Sequence, residues 1–140
     1  VKEDARQMTG KNAAPTVEHW HTSAKTNCFP AIAADLVMTL DPQLSIIFVP
    51  TKVASEDIAS FLRSKIGGAD VHALHGDMTQ ASRSKSIATI RKNTSAQQIL
   101  VATDVASRGL DLPNVDLVVQ FGVPKLSGRD GTYNTELYTH

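Results

Sequence analysis

The sequence predicts an α/β fold, a three-layer αβα sandwich built on a parallel sheet of about five strands. First, short apolar runs alternate with amphipathic stretches of about 10–15 residues, a pattern typical of βαβ units. Second, Ile99–Ala102 is continuously apolar, as expected for a strand buried on both faces of a sheet. Third, polar residues directly follow several apolar runs, and the carboxyl ends of parallel strands are where open sheets bind ligands.

The composition is that of one ordinary globular domain. The chain has 140 residues, and 14 Lys plus Arg balance 14 Asp plus Glu, which argues against a broadly basic nucleic-acid surface. Between Arg63 and Arg108, however, there are seven basic residues and only three acidic ones, so a local basic face is expected. The single Cys28 cannot form an internal disulfide, which favours a reducing compartment. No apolar run reaches the roughly 18 residues of a membrane span, and no signal peptide is predicted.

The N-terminal part of the chain divides into a polar segment and two predicted elements. Residues 1–15 are polar and lack periodicity, and we interpret them as a linker or disordered terminus that precedes one domain over 16–140. Thr16–Ser23 alternates in polarity, which predicts a strand. Cys28–Leu40 has its apolar residues, Leu40 among them, on one stripe, which predicts an amphipathic helix.

Four further strands and two longer helices are predicted after this helix. In order, they are the strand Ser45–Pro50, the helix Lys52–Ile66, the strand Val71–Leu74, the helix Thr79–Lys92, the strand Gln98–Thr103 and the strand Val115–Phe121. Thr51 is predicted to cap the first of these helices. The second should direct Ile87, Ala88 and Ile90 toward the core. Asp104 is predicted to cap a short helical turn that Gly109 stops. The sequence contains no Gly-x-x-x-x-Gly-Lys-Ser/Thr, so no P-loop is predicted.

A polar cluster follows each of these four strands. The clusters are Thr51 and Lys52; His75, Gly76 and Asp77, with Gln80 and Arg83 on the next helix; Thr103, Asp104 and Arg108; and Gln120, Gly122 and Pro124. If the sheet is parallel, all four share one edge. Helix N-termini, backbone amides, hydroxyls and two or three cations would then form a surface suited to phosphates. Gln80 and Arg83 would share one helical face near its positive end, which favours an anion.

Several strings in these clusters have the form of known motifs. Ala-Thr-Asp-Val-Ala-Ser-Arg-Gly-Leu-Asp, which ends at Asp111, resembles motif V of the DEAD-box RNA helicases. His-Gly-Asp-Met-Thr-Gln-Ala-Ser-Arg, which ends at Arg83, resembles that family's His-Gly-Asp-x-x-Gln-x-x-Arg motif. Ser45–Thr51 resembles motif IV, and Tyr-Thr-His, which ends at His140, resembles the start of motif VI. The resemblance is to the second RecA-like lobe, a P-loop-NTPase-like lobe without its own P-loop.

The resemblance covers the chain from about Val17 to His140. It includes the string Asp116–Gln120, which is similar to the nucleolar Gu-type branch of the family. Between Pro124 and Tyr138 the chain is longer than the family's usual form, and the extra segment Lys125–Glu136 is predicted to be an exposed loop.

The resemblance implies two sets of binding residues. The residues expected to contact RNA are Thr51, Gly76, Asp77, Gln80, Arg83, Thr103 and Asp104. Gly109 and Asp111 are expected to face ATP, with the aspartate accepting hydrogen bonds from the ribose hydroxyls. ATP and Mg²⁺ are expected to be held mainly by an N-terminal lobe of the same protein. The chain stops at His140, before the arginine fingers of motif VI, so no catalytic residue or metal ligand is assigned and this fragment is expected to be inactive alone.

The function implied is that of the C-terminal lobe of an ATP-dependent RNA helicase, expected to be a monomer that contacts RNA without sequence preference. An intracellular location is expected, with the nucleus, nucleolus and mitochondrion left open, and no membrane partner is expected. Two other functions stay open: a stand-alone RNA-binding or scaffold domain, and the lobe of a DNA-directed superfamily-2 helicase. Two residues also have structural alternatives, since Arg83 could be a solvated helix charge and His75 a structural hydrogen bonder.

Overall fold

The computed structural model describes residues 2–4, 17–92 and 96–122. The strands are β1 (Lys2–Asp4), β2 (Glu18–Trp20), β3 (Leu44–Val49), β4 (Asp70–Leu74), β5 (Gln98–Thr103) and β6 (Leu117–Gln120). The helices are α1 (Phe29–Leu40), α2 (Lys52–Lys65), α3 (Gln80–Arg91) and α4 (Asp104–Ser107), and the 3-10 turn Thr26–Cys28 precedes α1. All the predicted elements are present, most with small differences at their ends, but the strand predicted over Thr16–Ser23 is reduced to the three residues of β2. The strand β1 lies within residues 1–15, where no strand is predicted.

The central sheet is parallel, which confirms the predicted fold class. Its strand order is β4-β5-β3-β6, and all three pairings are parallel. The described part of this sheet has four strands instead of about five, because β2 pairs antiparallel with β1 in a separate two-stranded sheet. The physical reason is that β2 has no buried face. All three of its residues are exposed, including Trp20 at 68%, so no hydrophobic side holds it against the domain core.

Helices cover both faces of the parallel sheet and create two hydrophobic clusters. The larger cluster lies under α1 and α2 and includes Ala33, Val37, Ile47, Ile58, Leu62, Ile99 and Val101. The smaller cluster lies under α3 and α4 and consists of Leu44, Leu74, Ile90, Leu100, Ala102 and Ala106. These two layers on one sheet are the predicted αβα sandwich. Among the described residues, no helix combines the length and apolar character that crossing a membrane would need.

Two side chains expected in the core are exposed instead. Leu40 is 59% exposed because it lies in the last turn of α1, just before Asp41 adopts a left-handed conformation with φ of 47°. Ala88 is exposed on α3, where it lines a groove, whereas Ile90 two residues later is buried. Helical periodicity identified the correct buried faces of these helices, but it assigned residues at the edges of those faces to the core.

The ends of the helices follow the sequence signals with one exception. Thr51 caps α2 as predicted, since its Oγ1 accepts a hydrogen bond from Ala54 N at 3.1 Å. Gly109 has φ of +74° and ends the turn after α4, a conformation in which a side chain would be strained. The prediction that Asp104 caps α4 is wrong, because Thr103 occupies the cap position without a side-chain hydrogen bond and Asp104 is the first helical residue.

A carboxylate fixes the register of β6 at its start. Asp116 Oδ2 accepts hydrogen bonds from Gln43 N at 2.9 Å and Leu44 N at 3.1 Å. The Asp116 amide in turn donates to Leu44 O at 2.9 Å. These three bonds tie β6 to the start of β3, so Gln120 at the other end of β6 lies opposite Phe48. These hydrogen bonds thereby place the end of β6 at the same edge of the sheet as the ends of the other three strands.

Candidate functional site

The carboxyl ends of the four parallel strands form one edge of the sheet, as predicted. Val49 in β3 pairs with Thr103 in β5, and Leu74 in β4 pairs with Ala102, so the loops that follow these strands emerge side by side. The predicted RNA-facing residues all lie at the last residue of a strand, in the loop after it or in the first turn of the following helix: Thr51, Gly76, Asp77, Gln80, Arg83, Thr103 and Asp104. The structure therefore brings this predicted set together at one edge.

The N-termini of α2 and α3 lie at this edge, and a threonine side chain caps each of them. Thr51 caps α2, and Thr79 caps α3 by accepting a hydrogen bond from Ser82 N at 3.2 Å. The unpaired amides and aligned peptide dipoles of a helix N-terminus attract anions. Each threonine oxygen accepts its capping bond and still carries a proton, which it can donate to a phosphate oxygen. The edge thus combines two positive helix ends with hydroxyl donors.

An ion pair joins the start of α2 to the loop that follows β4. Lys52 Nζ donates to the Asp77 carboxylate, and both side chains are exposed. The hydrogen bond from Lys52 and its positive charge hold the pKa of Asp77 below its usual range. A carboxylate paired in this way is largely neutralised, and it holds the lysine in place at the edge. Asp77 therefore acts on the electrostatics of the edge through Lys52, a residue absent from the predicted binding set.

His75 is held by the domain itself. Its Nε2 lies 2.8 Å from Glu56 Oε1 on α2, and its side chain is only 12% exposed. Its Nδ1 is buried and has no hydrogen-bond partner among the described residues. With one ring nitrogen engaged and the other enclosed, the geometry favours the structural alternative for His75 over a role as a ligand.

Arg83 connects the helix α3 to the helix α4. Its Nη2 donates to the carbonyl oxygen of Ala106 at 2.6 Å, and the residue is half-buried. The structure therefore excludes a simple solvated charge. A guanidinium has five N–H donors in a rigid fork, so the remaining donors of Arg83 can reach an anion at the edge.

Asp104 lies between a polar partner and a cation at the end of β5. Burial raises the pKa of its carboxyl above the usual range, although a hydrogen bond from the Gln120 side chain and the charge of Arg108 act in the opposite direction. Desolvation of the carboxylate is thus the larger influence on this group.

Asp104→Asn is expected to stabilise the domain slightly at neutral pH. A folded-state pKa above the unfolded value means that the charged carboxylate costs stability at neutral pH and that this cost disappears as the pH falls through the folded pKa. Because the residue is only partly buried, the gain should not exceed about 1 kcal/mol. Thermal melting at pH 7 and near pH 4 measures it, with Asp57→Asn on the exposed face of α2 as the matched control. An equal gain for both variants, or a gain that grows toward pH 4, would contradict the burial of Asp104.

The predicted nucleotide-facing residues lie on the segment after α4. Gly109 lines a groove against the second half of α3, and Asp111 is exposed beside the last turn of that helix. Arg91 Nη2 donates to the carbonyl oxygen of Asp111 at 3.1 Å. The structure therefore places Asp111 farther along α3 than the RNA-facing edge, whereas Gly109 lines the same groove as Arg83 of the RNA-facing set.

The groove between α3 and this segment has a volume of about 520 Å³ and is rich in cations. It is lined by Arg83, Ser84, Ile87, Ala88, Arg91, Lys92, Gly109 and Leu110. In the described chain, no three or more histidine, cysteine, aspartate or glutamate residues are grouped so that they could hold a metal ion. The exposed carboxylate of Asp111 can accept hydrogen bonds, which suits the hydroxyls of a ribose.

The structure adds residues that the predicted binding set leaves out. Lys52, Glu56 and Arg91 each contact a residue of the candidate site. Lys52 belongs to one of the predicted strand-end clusters, although the sequence gives it no binding role. Arg91 carries no local signal, because its partner Asp111 lies 20 residues away in the sequence. The start of motif VI at His140 and the segment Lys125–Glu136 lie outside the described residues.

Comparison with known proteins agrees with this geometry. The family described as the helicase conserved C-terminal domain matches residues 29–140. The DEAD-box ATP-dependent RNA helicase RhpA of Helicobacter pylori is 42% identical over 105 residues, which make up 75% of this chain and 19% of RhpA. The chain thus spans about a fifth of the length of the curated relatives that it matches.

Solved structures support the same assignment. The E. coli DEAD-box protein SrmB, solved bound to regulator of ribonuclease activity A, has a TM-score of 0.61 at 29% identity over 74% of this chain and 58% of that chain. S. cerevisiae Dbp5, solved bound to RNA and ADP BeF3, has a TM-score of 0.58 at 30% identity over 70% of this chain and 24% of that chain. With the family match covering most of the sequence and the fold in agreement, the chain belongs to the helicase conserved C-terminal domain family, in its DEAD-box form.

Proposed function

We propose that this chain is the C-terminal lobe of an ATP-dependent RNA helicase. In this proposal the lobe binds the RNA backbone and closes on ATP held by an N-terminal lobe, and the complete protein unwinds or remodels RNA. The observation that carries the proposal is the single edge at which two capped helix N-termini, Lys52 and Arg83 meet. Such an edge suits a chain of phosphates, and Dbp5, a structural relative, has been solved bound to RNA.

RNA recognition at this edge is proposed to be independent of sequence. The donors available are the Thr51 hydroxyl, the amide of Gly76, the Gln80 amide group and the guanidinium of Arg83. Donors of these kinds contact phosphate and sugar oxygens, which are the same in every nucleotide and carry no sequence information. Asp77 contributes by holding Lys52 among these donors.

ATP is proposed to contact the segment that ends at Asp111. The Asp111 carboxylate is exposed and can accept hydrogen bonds from ribose hydroxyls, and Gly109 leaves open space where a side chain would otherwise stand. The chain has no P-loop, so the phosphates and Mg²⁺ would be bound mainly by the N-terminal lobe. Bound there, the metal would neutralise phosphate charge. The residues of this lobe would orient the ribose and close the cleft.

Coupling between ATP and RNA follows from differential binding. Both ligands bridge the two lobes in this proposal, so each binds the closed arrangement more tightly than the open one. By linkage, ATP then increases RNA affinity as much as RNA increases ATP affinity. A strand gripped by its backbone in a shape that a duplex cannot adopt would be separated from its complement.

The full-length protein is expected to hydrolyse ATP faster with single-stranded RNA, to a similar extent for unrelated RNA sequences. The isolated 140-residue chain should show no ATPase activity and weak RNA binding, because it has no P-loop and is neutral overall. Steady-state ATPase assays with RNA, with DNA of the same sequence and without nucleic acid measure these differences. Turnover by the isolated chain above that of a mock preparation would contradict the two-lobe mechanism.

The same assays separate the other candidate functions. Equal stimulation by DNA and RNA would indicate a DNA-directed helicase lobe. RNA binding by the full-length protein without any ATPase activity would indicate an RNA-binding or scaffold domain.

A further inference from the structure

Two arginines of α3 hold the two ends of the segment Ala106–Asp111. Arg83 Nη2 donates to Ala106 O at 2.6 Å, and Arg91 Nη2 donates to Asp111 O at 3.1 Å. The arginines are eight residues apart in the sequence, which corresponds to about 12 Å along a helix axis. Both bonds end on backbone carbonyls, so they fix the path of the main chain.

The second half of this segment has few other hydrogen bonds to restrain it. α4 contains only four residues, and its last turn is closed by Leu110 N donating to Ser107 O at 3.1 Å. Leu110 is half-buried against the smaller hydrophobic cluster. Beyond Leu110, the hydrogen bond from Arg91 is the one side-chain contact that the described part of the chain gives to the Asp111 backbone. Leu112, on the other side of Asp111, packs against the same cluster, so Arg91 supplies the polar restraint on a backbone that is otherwise held by its two leucine neighbours.

We propose that Arg91 is a positioning residue for ribose recognition, acting through Asp111. This inference rests on the proposed function, in which the Asp111 carboxylate accepts hydrogen bonds from the ribose hydroxyls. Arg91 holds the Asp111 carbonyl, and thereby sets where the carboxylate points when ATP arrives. The same helix carries Gln80 and Arg83 at its first turn, so α3 connects the RNA-facing edge to the nucleotide-facing turn.

The position of Arg91 distinguishes this role from direct phosphate binding. Arg83 lies in the first turn of α3, near the ends of the strands, whereas Arg91 lies in the last turn of that helix. A parallel αβ unit runs its helix back along the sheet, so the last turn of α3 is directed away from the carboxyl edge. Arg91 is therefore placed to act on Asp111 and not on RNA phosphates.

The test compares nucleotides that differ only in the ribose hydroxyls. In the full-length protein, Arg91→Ala should raise the KM for ATP about threefold to tenfold, the effect of losing one charge-assisted hydrogen bond. The KM for 2′,3′-dideoxy-ATP should stay nearly unchanged, because that nucleotide has no ribose hydroxyls that could donate hydrogen bonds to Asp111. Asp111→Ala should show the same pattern, and combining the two changes should add little. Arg91→Lys keeps a donor and should retain most of the preference for ATP.

A second readout requires neither nucleotide nor activity. Hydrogen exchange of the amides of residues 109–111 should be faster in Arg91→Ala than in the parent full-length protein, since the restraint on the Asp111 backbone is gone. Lys85→Ala is the matched control for both readouts: it removes one positive charge from an exposed position on the same helix, and neither exchange nor the ATP preference should change.

The outcomes separate this inference from the proposed function. If the parent protein is an RNA-stimulated ATPase but Arg91→Ala leaves both the ATP preference and the exchange rates unchanged, the positioning role is overturned. If KM rises equally for ATP and for the dideoxy nucleotide, Arg91 acts on nucleotide binding in general and the ribose role is overturned. If the parent protein lacks RNA-stimulated ATPase activity, the proposed function fails and ribose positioning fails with it. Faster exchange in that case would show only a structural restraint by Arg91.

Discussion

Arg83→Ala in the full-length protein is expected to weaken RNA binding about tenfold, and equally for unrelated sequences. One lost phosphate contact is worth about 1.4 kcal/mol or less, and it should lower the salt slope of the binding constant by roughly one ion. The reason is the place of Arg83 in the first turn of α3, at the edge where the helix N-termini meet. RNA binding across a salt series, with a non-hydrolysable ATP analogue present, measures both quantities.

The contact between Arg83 and Ala106 makes the salt slope the decisive measurement. Loss of that 2.6 Å hydrogen bond alone would weaken binding indirectly, through a displaced α4, and would leave the slope unchanged. Lys85→Ala, which removes an exposed charge two residues away, is the control for general electrostatic attraction. A slope that falls equally in both variants would show that Arg83 contributes only to the overall charge of α3. Losses confined to one RNA sequence would indicate base readout instead.

Ile47→Ala is expected to destabilise the domain by about 3–4 kcal/mol, the largest effect on stability that we predict. Ile47 is fully buried in the middle of β3, where it pairs with Val101 of β5 and Val119 of β6. The helices α1 and α2 cover it, so little of the cavity left by the missing side-chain atoms can collapse. In a domain of this size, such a loss should lower the melting temperature by roughly 10 °C.

Urea unfolding followed by circular dichroism measures this effect, with two matched variants. Ile47→Val removes one methylene from the same site and should cost only about 1 kcal/mol. Val53→Ala on α2 changes a side chain that is 61% exposed and should cost less than about 0.5 kcal/mol. Similar losses for Ile47→Ala and Val53→Ala would mean that β3 is not the centre of a packed sheet.

The sequence by itself determined the fold class and nearly all the elements of the domain. Runs such as Ile99–Ala102 are apolar without interruption because β5 is covered on both faces, and the burial of five of its six residues agrees with that expectation. Local signals were also reliable where one residue suffices, as for the Thr51 cap and for Gly109 with its positive φ. The edge that carries the candidate site followed from parallel strand order alone.

Tertiary structure decided the features that depend on distant partners. The local sequence identifies Asp116 only as a residue near the start of a strand. In the structure, its carboxylate accepts hydrogen bonds from two backbone amides more than 70 residues earlier in the chain. The strand β2 has the alternation of a sheet member but no apolar face, and within the described ranges it pairs with β1 instead of joining the parallel sheet. Lys52 at the start of α2 and Asp77 in the loop after β4 have opposite charges, and only the fold makes them an ion pair.

The functional roles of the arginines show why this division arises. Sequence patterns register periods of two or 3.6 residues and the preferences of single positions, because these reflect the geometry of one strand or one helix. The arginine side chains of α3 reach across to carbonyls of a separate segment, at Ala106 and Asp111. Every residue has a backbone carbonyl, so the sequence cannot indicate which carbonyl an arginine side chain will contact. That partner is determined only by the folded structure.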